Sequence, residues 1–283
     1  SAHGLTSKNI QISDTSLKTI IRKYTREAGV RELERQIANL CRNIARQILE
    51  KKSKKTNIGL TVIDKYLGPY KYSAQMIEEK DTIGISTGLA WTQAGGDVLF
   101  IEVAVMPGKA NLTLTGHLGN VMKESCRAAL SYVRSRWDRF GLDKSFFNKI
   151  DIHVHVPEGA VPKDGPSAGI AITTAMISAL TKIPVRRDAA MTGEITLRGR
   201  ILEIGGVKEK VIAAHRARIK KIILPKDNKK DLLDIPKYIL NDLNFVFVDH
   251  IDELVKEALV FPKKLTPSEF AFYKQFSQLR KDN

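Results

Sequence analysis

Apolar and polar positions follow two different periods along this chain, and the change of period divides it. In residues 14–26, Leu17, Ile20, Ile21 and Tyr24 fall at helical spacing, with Ser13 or Asp14 placed to cap and Gly29 placed to stop. A longer stripe follows, of Val30, Leu33, Ile37, Leu40, Cys41, Ile44 and Ile48, with Arg and Glu on the other faces. The basic run at 51–55 breaks that pattern and reads as an exposed loop. Thr61 then opens a short helix with Val62, Ile63, Tyr66 and Leu67, stopped by Gly68-Pro69. From Ile83 onward strands enter. Residues 98–105 and 110–115 read as strands, with a turn at 94–97 before them and Pro107-Gly108 between them. A helix is expected over 120–140. Residues 150–156 alternate strictly, with Ile150, Ile152, Val154 and Val156 on one face and Asp151, His153 and His155 on the other, the pattern of a half-buried strand. Residues 168–180 are apolar on nearly every face, which marks a buried helix. Strands are expected at 189–195, 221–225 and 245–248, and helices at 207–218 and 250–259. Thr266-Pro267-Ser268-Glu269 reads as a capping box for a short terminal helix.

Composition narrows the class. The 283 residues suffice for about two domains, and 43% hydrophobic with 27% charged residues is ordinary for a globular protein. No apolar run approaches the roughly 20 residues that cross a bilayer. No charged-then-apolar leader opens the chain, so a secretory signal is not expected. The two cysteines, Cys41 and Cys126, fall on apolar helix faces, so buried free thiols and a reducing compartment are expected. No Cys/His cluster has zinc spacing. Net charge is +15, and residues 1–70 hold 14 Lys/Arg against 6 Asp/Glu. Such a surface attracts nucleic acid or an acidic partner, and it equally serves as a solvated face.

The chemistry gathers at residues 162–169, Pro-Lys-Asp-Gly-Pro-Ser-Ala-Gly. Asp164 and Gly165 supply turn chemistry, and Pro166 suits a first helical position. Ser167 is thereby delivered to the start of the buried helix, among backbone N–H groups and the positive dipole end. That is a favourable place for a nucleophile whose reaction builds an oxyanion, and it is also an ordinary place for a helix cap. A serine nucleophile needs a base. Among the six histidines (His3, His117, His153, His155, His215 and His250), His153 and His155 lie on the strand entering the turn. The other option is a desolvated lysine acting as a neutral amine. In Gly205-Gly206-Val207-Lys208-Glu209-Lys210, the two lysines are two apart and point different ways on a helix, so one can face inward. A hydroxyl in Met191-Thr192-Gly193-Glu194 is placed to orient such an amine.

Together these segments resemble the proteolytic domain of Lon, the ATP-dependent protease, over roughly residues 85–260. The 162–169 turn is similar to the family's nucleophile motif, and 191–217, MTGEITLRGRILEIGGVKEKVIAAHRA, to its second signature. The resemblance implies Ser167 as catalytic serine and Lys210, 43 residues later, as its base. Thr192, Asp164, Gly165, Glu102 and His153 follow as supporting residues, with His155 and Glu194 beside them. An ionised Asp164 next to Lys210 would hold the amine charged, so it is expected to point away in an active state. Residues 1–70 resemble the helical ATPase subdomain of the same family, with YTREAGVRELER at 24–35 similar to its sensor-2 region and Arg31 as the nucleotide-sensing arginine. No G-x-x-x-x-G-K-[ST] loop occurs.

The expected fold class is α+β: a small all-helical N-terminal subdomain of an AAA+ module at 1–70, a linker at 71–80, an α/β Lon-type protease domain at 81–260, and a tail with a short helix at 261–283. The resemblance further implies a C-terminal fragment of a cytoplasmic, ATP-dependent serine endopeptidase. ATP and Mg2+ would serve the full-length protein, and the fragment would bind neither and hydrolyse no ATP. Partners are unfolded, damaged or regulatory proteins, a homo-hexamer in full-length form and DNA, with no membrane. Two other classes stand beside this one: a basic nucleic-acid-binding module, and an inactive remnant used for assembly.

Overall fold

The computed structural model describes residues 4–50, 56–72, 79–157 and 163–261. The basic run 51–55, Pro162, most of the 71–80 linker and the expected terminal helix lie outside the described residues. Two compact units form: Ser1–Gln75 with Gln93–Gly95, and Met76–Thr92 with Gly96–Asn283.

The first unit holds β1 (Ile10–Ile12), α1 (Asp14–Tyr24), α2 (Arg31–Leu49), β2 (Thr56–Ile58) and α3 (Leu60–Leu67). Ser13 caps α1, its Oγ accepting from the Ser16 N–H at 3.1 Å. The chain turns extended at Thr25, so six residues, 25–30, separate the end of α1 from the start of α2. Glu27 supplies that start: its carboxylate accepts from the N–H groups of Glu32 and Leu33 at 2.8 and 2.9 Å. Two of the orphan donors of α2 are satisfied from the preceding turn. Ile20, Tyr24, Leu40, Ile44, Ile58 and Ile63 meet in one core. The expectation of a wholly helical unit needs one addition: β1 and β2 pair in parallel, Gln11 opposite Asn57.

The second unit is built on a mixed seven-stranded sheet. Its strands are β3 (Ile85–Thr92), β4 (Gly95–Pro107), β5 (Leu112–Thr115), β6 (Ile150–His155), β7 (Ala189–Met191), β10 (Lys221–Pro225) and β11 (Asn244–Val248), in the order β11-β10-β7-β3-β4-β6-β5. β8 (Glu194–Ile195) and β9 (Ile201–Leu202) form a separate antiparallel pair. The helices are α4 (Asn120–Ser135), α5 (Gly169–Thr181), α6 (Val207–Arg216), α7 (Lys237–Asp242) and α8 (Ile251–Ala258).

Alternation along the central strands sends side chains to two cores. Leu99, Ile101, Met191 and Ile223 pack with α4, α5 and α8. Leu89, Val98, Ile222 and Leu224 pack with α6 and α7 on the other face. Both faces are therefore covered by helices, the layering of an α/β domain. α5 is the inner helix, buried from Gly169 to Leu180, in agreement with its apolar circumference.

Three sequence expectations change here. The helix expected over 120–140 ends as α at Ser135 and continues as a 3-10 turn at Trp137–Phe140. The strand expected over 189–195 is two strands, broken at Thr192-Gly193. Of the two free cysteines, Cys126 is buried, whereas Cys41 is only half-buried.

Candidate active site

Ser167 sits in a 3-10 turn, Pro166–Ala168, that leads directly into α5. Gly165 before it has φ +115°, a conformation that side-chain-bearing residues rarely adopt, and Pro166 occupies the first position of the turn. The break between β7 and β8 is what holds this turn. Gly193 N–H and Thr192 Oγ1 both donate to the Ser167 carbonyl, at 2.8 and 3.0 Å. Gly193 returns its own carbonyl to the Ile170 N–H at 3.1 Å, while Thr192 N–H stays on β10 through the Ile223 carbonyl at 3.2 Å. A continuous strand would leave none of these groups free to reach the turn.

Lys210 comes from the first turn of α6. Lys208 is exposed and Lys210 is 2% exposed, so of the two lysines it is the second that points inward. Its Nζ donates to Thr192 Oγ1 at 3.2 Å. Thr192 thus links the amine of Lys210 to the carbonyl of Ser167 through one hydroxyl. No hydrogen bond joins Nζ to the Ser167 hydroxyl directly. Burial lowers the Lys210 pKa from 10.5 to about 8, and no charged neighbour contributes.

The Asp164 carboxylate is turned to a different task. Oδ1 accepts from the N–H groups of Met122, in the first turn of α4, at 3.0 Å and of Gly165 at 2.9 Å. These backbone donors hold its pKa below the usual carboxylate range. The approach depends on Gly119: a Cβ there would lie 2.2 Å from the Asp164 Cγ. Asp164 is consequently engaged with the N-terminus of α4, and it forms no ion pair with Lys210.

Ser167 and Lys210 open into one cavity of about 660 Å³, together with Thr92, Asp164, Gly165 and Met122. Its wall from Leu89 to Thr92 belongs to β3, a strand absent from the sequence reading. Both faces of β3 are packed through most of its length, so it shows no alternation. The signal that could have found it is the run of Ile, Thr, Leu, Ala and Trp before the glycine pair at 95–96.

Glu102 and His153 do not line this cavity. β4 and β6 pair antiparallel with Glu102 opposite His155, and the inward positions of β6 are taken by Ile152 and Val154. His153 Nε2 and His155 Nδ1 instead flank Thr115 Oγ1, at 2.8 and 2.7 Å. Neither histidine is joined to Ser167 by a hydrogen bond. Arg31 is the exposed first residue of α2 in the first unit. Among the described residues, no group of three or more His, Cys, Asp or Glu is arranged to hold a metal ion, and no helix is long and apolar enough to cross a membrane.

Residues 57–261 match the family model of the Lon protease (S16) C-terminal proteolytic domain, and residues 1–57 match that of the Lon protease AAA+ ATPase lid domain. The chain is 54% identical over 267 residues to a Lon protease of Syntrophomonas wolfei, covering 94% of this chain and 33% of the relative. It is 56% identical over 264 residues to Lon protease 1 of Syntrophobacter fumaroxidans, covering 93% and 32% respectively. Against Lon protease 1 of Myxococcus xanthus the identity is 54% over 269 residues, covering 95% and 33%. The chain spans about a third of the length of these curated relatives.

Proposed function

The chain belongs to the Lon protease (S16) family, and on that premise we propose that it carries a peptide-hydrolysing site in which Ser167 is the nucleophile and Lys210 its base. The observation that carries this reading is the state of Lys210: an amine 2% exposed, with its pKa lowered to about 8, facing the cavity that Ser167 also lines. A solvated lysine near pH 7 is almost wholly protonated and takes no proton; this one has a neutral population large enough to act.

The steps follow from the atoms present. Ser167 Oγ attacks a peptide carbonyl carbon while its proton passes to Lys210 Nζ. The tetrahedral species collapses, Lys210 returns the proton to the leaving amine nitrogen, and an ester on Ser167 remains. Water then attacks the ester, giving a proton to Lys210, and collapse restores the serine hydroxyl. Thr192 holds the amine in line through its hydroxyl. The N–H groups of the Ser167 turn are the proposed oxyanion donors. Gly165 N–H joins them only when it leaves Asp164 Oδ1, so Asp164 sets how much of that site is open.

The wider assignment is an ATP-dependent serine endopeptidase acting on unfolded, damaged or regulatory proteins. It works in the cytoplasm as a homo-hexamer, with DNA as a further partner of the basic first unit. ATP and Mg2+ belong to the motor of the whole protein. The residues of this chain do not fit a nucleotide site alone: Arg31 is exposed, and Glu27 takes the N–H groups of Glu32 and Leu33 at the start of α2. No step here runs through ATP, and Arg31 is proposed only to reach toward phosphates held elsewhere.

Ser167→Ala tests the reading. Cleavage of an unfolded protein such as reduced casein should be lost while the circular dichroism spectrum is unchanged. Retained cleavage at the parental rate would overturn the assignment.

A further inference from the structure

The cavity has an electrostatic sign opposite to that of the chain. Over 283 residues the net charge is +15. The residues that line the cavity include four acidic ones, Asp97, Asp164, Glu203 and Glu209, against two lysines, Lys163 and Lys210. Both lysines are more than nine-tenths buried, and even with both charged the acidic residues outnumber them.

The four carboxylates differ in how far they are already engaged. Asp164 accepts from two backbone N–H groups. Asp97 accepts from the Val98 N–H at 3.0 Å. Glu203 pairs with Lys230 at 2.7 Å, with both side chains more than half exposed, so the pair is well screened. The side chain of Glu209, in the first turn of α6 beside Lys210, makes no hydrogen bond or ion pair among the described residues. It also makes no contribution to the Lys210 pKa, so its charge is not spent on the amine. The remaining wall is apolar, with Leu89, Leu99, Met122 and Ile204. A chain lying there meets an apolar lining beside Ser167 and negative charge around it.

We propose that this acidic lining selects the substrate: peptides carrying a basic side chain next to the apolar residue at the cleaved bond are favoured, and acidic ones are rejected, with Glu209 the principal determinant. The inference rests on the peptidase reading of the site and names the substrate class that this site prefers. Glu209 does not take part in proton transfer. Its effect is on capture and alignment, through attraction in a cleft walled by low-dielectric side chains.

The experiment uses the 283-residue chain and three internally quenched peptides identical except for one residue, Lys, Ala or Glu, placed directly next to a fixed apolar cleavage pair. Expected values of kcat/KM fall in the order Lys, Ala, Glu, with a Lys-to-Glu ratio of about tenfold at low ionic strength, shrinking severalfold in molar salt. Glu209→Gln lowers that ratio, and Glu209→Lys brings it to one or inverts it. A ratio at or below one in the unsubstituted chain, or a ratio unmoved in Glu209→Lys, overturns the proposal. Equal turnover of all three peptides that disappears in Ser167→Ala sinks the selection and leaves the peptidase reading standing. Turnover that persists in Ser167→Ala sinks the peptidase reading itself.

Discussion

A buried amine carries a thermodynamic cost that can be read directly. The fall of the Lys210 pKa from 10.5 to about 8 means that the folded state disfavours the charged form, by roughly 3 kcal/mol at neutral pH. The sign follows from linkage. Below pH 8 both states hold the proton, and the folded state carries the desolvated charge. Between about 8 and 10.5 the unfolded chain binds more protons than the folded one, so stability rises with pH across that window. Lys210→Met should therefore raise the unfolding free energy at pH 7 by about 2 kcal/mol, after allowing for the lost bond to Thr192. The gain should shrink above pH 10, and thermal melts at the two pH values check it; a lower melting temperature at pH 7 would contradict it. Thr192→Val keeps the shape and removes the hydroxyl shared by Lys210 and Ser167. We expect kcat to fall about 10- to 100-fold with KM little changed, and Thr192→Ser to restore most of it.

At the level of elements, the site depends on three interruptions. β7 stops at Met191 so that Thr192 and Gly193 can reach the Ser167 turn. The α5 helix begins with a 3-10 turn that presents Ser167. α4 begins at a glycine, leaving room for the Asp164 carboxylate. Gly119→Ala should displace Asp164, weaken the start of α4 and lower the unfolding free energy by about 1–3 kcal/mol, the usual cost of overpacking; an unchanged denaturant midpoint would refute the close contact. The amphipathic helices of the first unit and the alternating strand β6 were legible because each carries its own period. The β3 strand was not, because it is buried on both faces. The division between β7 and β8 was read as one strand, since the break is made by hydrogen bonds to a turn 25 residues away. The task of Asp164 was equally hidden, because its partner at Met122 is 42 residues earlier. The motifs named Ser167 and Lys210; only the fold shows Lys210 desolvated and Glu102 and His153 away from the cavity.

For the whole molecule, a strongly basic chain carries a cavity lined by four acidic residues, so the proposed peptidase would select by charge at that cavity. The proposed ring would add the restriction of access, and light scattering on the 283-residue chain would show whether these residues assemble by themselves. In the proposed site Ser167 attacks and Lys210 takes its proton. That assignment is tested most directly by the rate at which a fluorophosphonate labels Ser167 across a range of pH, in the parent and in Lys210→Met. The account predicts a labelling rate that rises with pH through a midpoint near 8, as Lys210 loses its proton, and that collapses in Lys210→Met. A midpoint at about 6.5 that survives in Lys210→Met would contradict it and assign the base to a histidine.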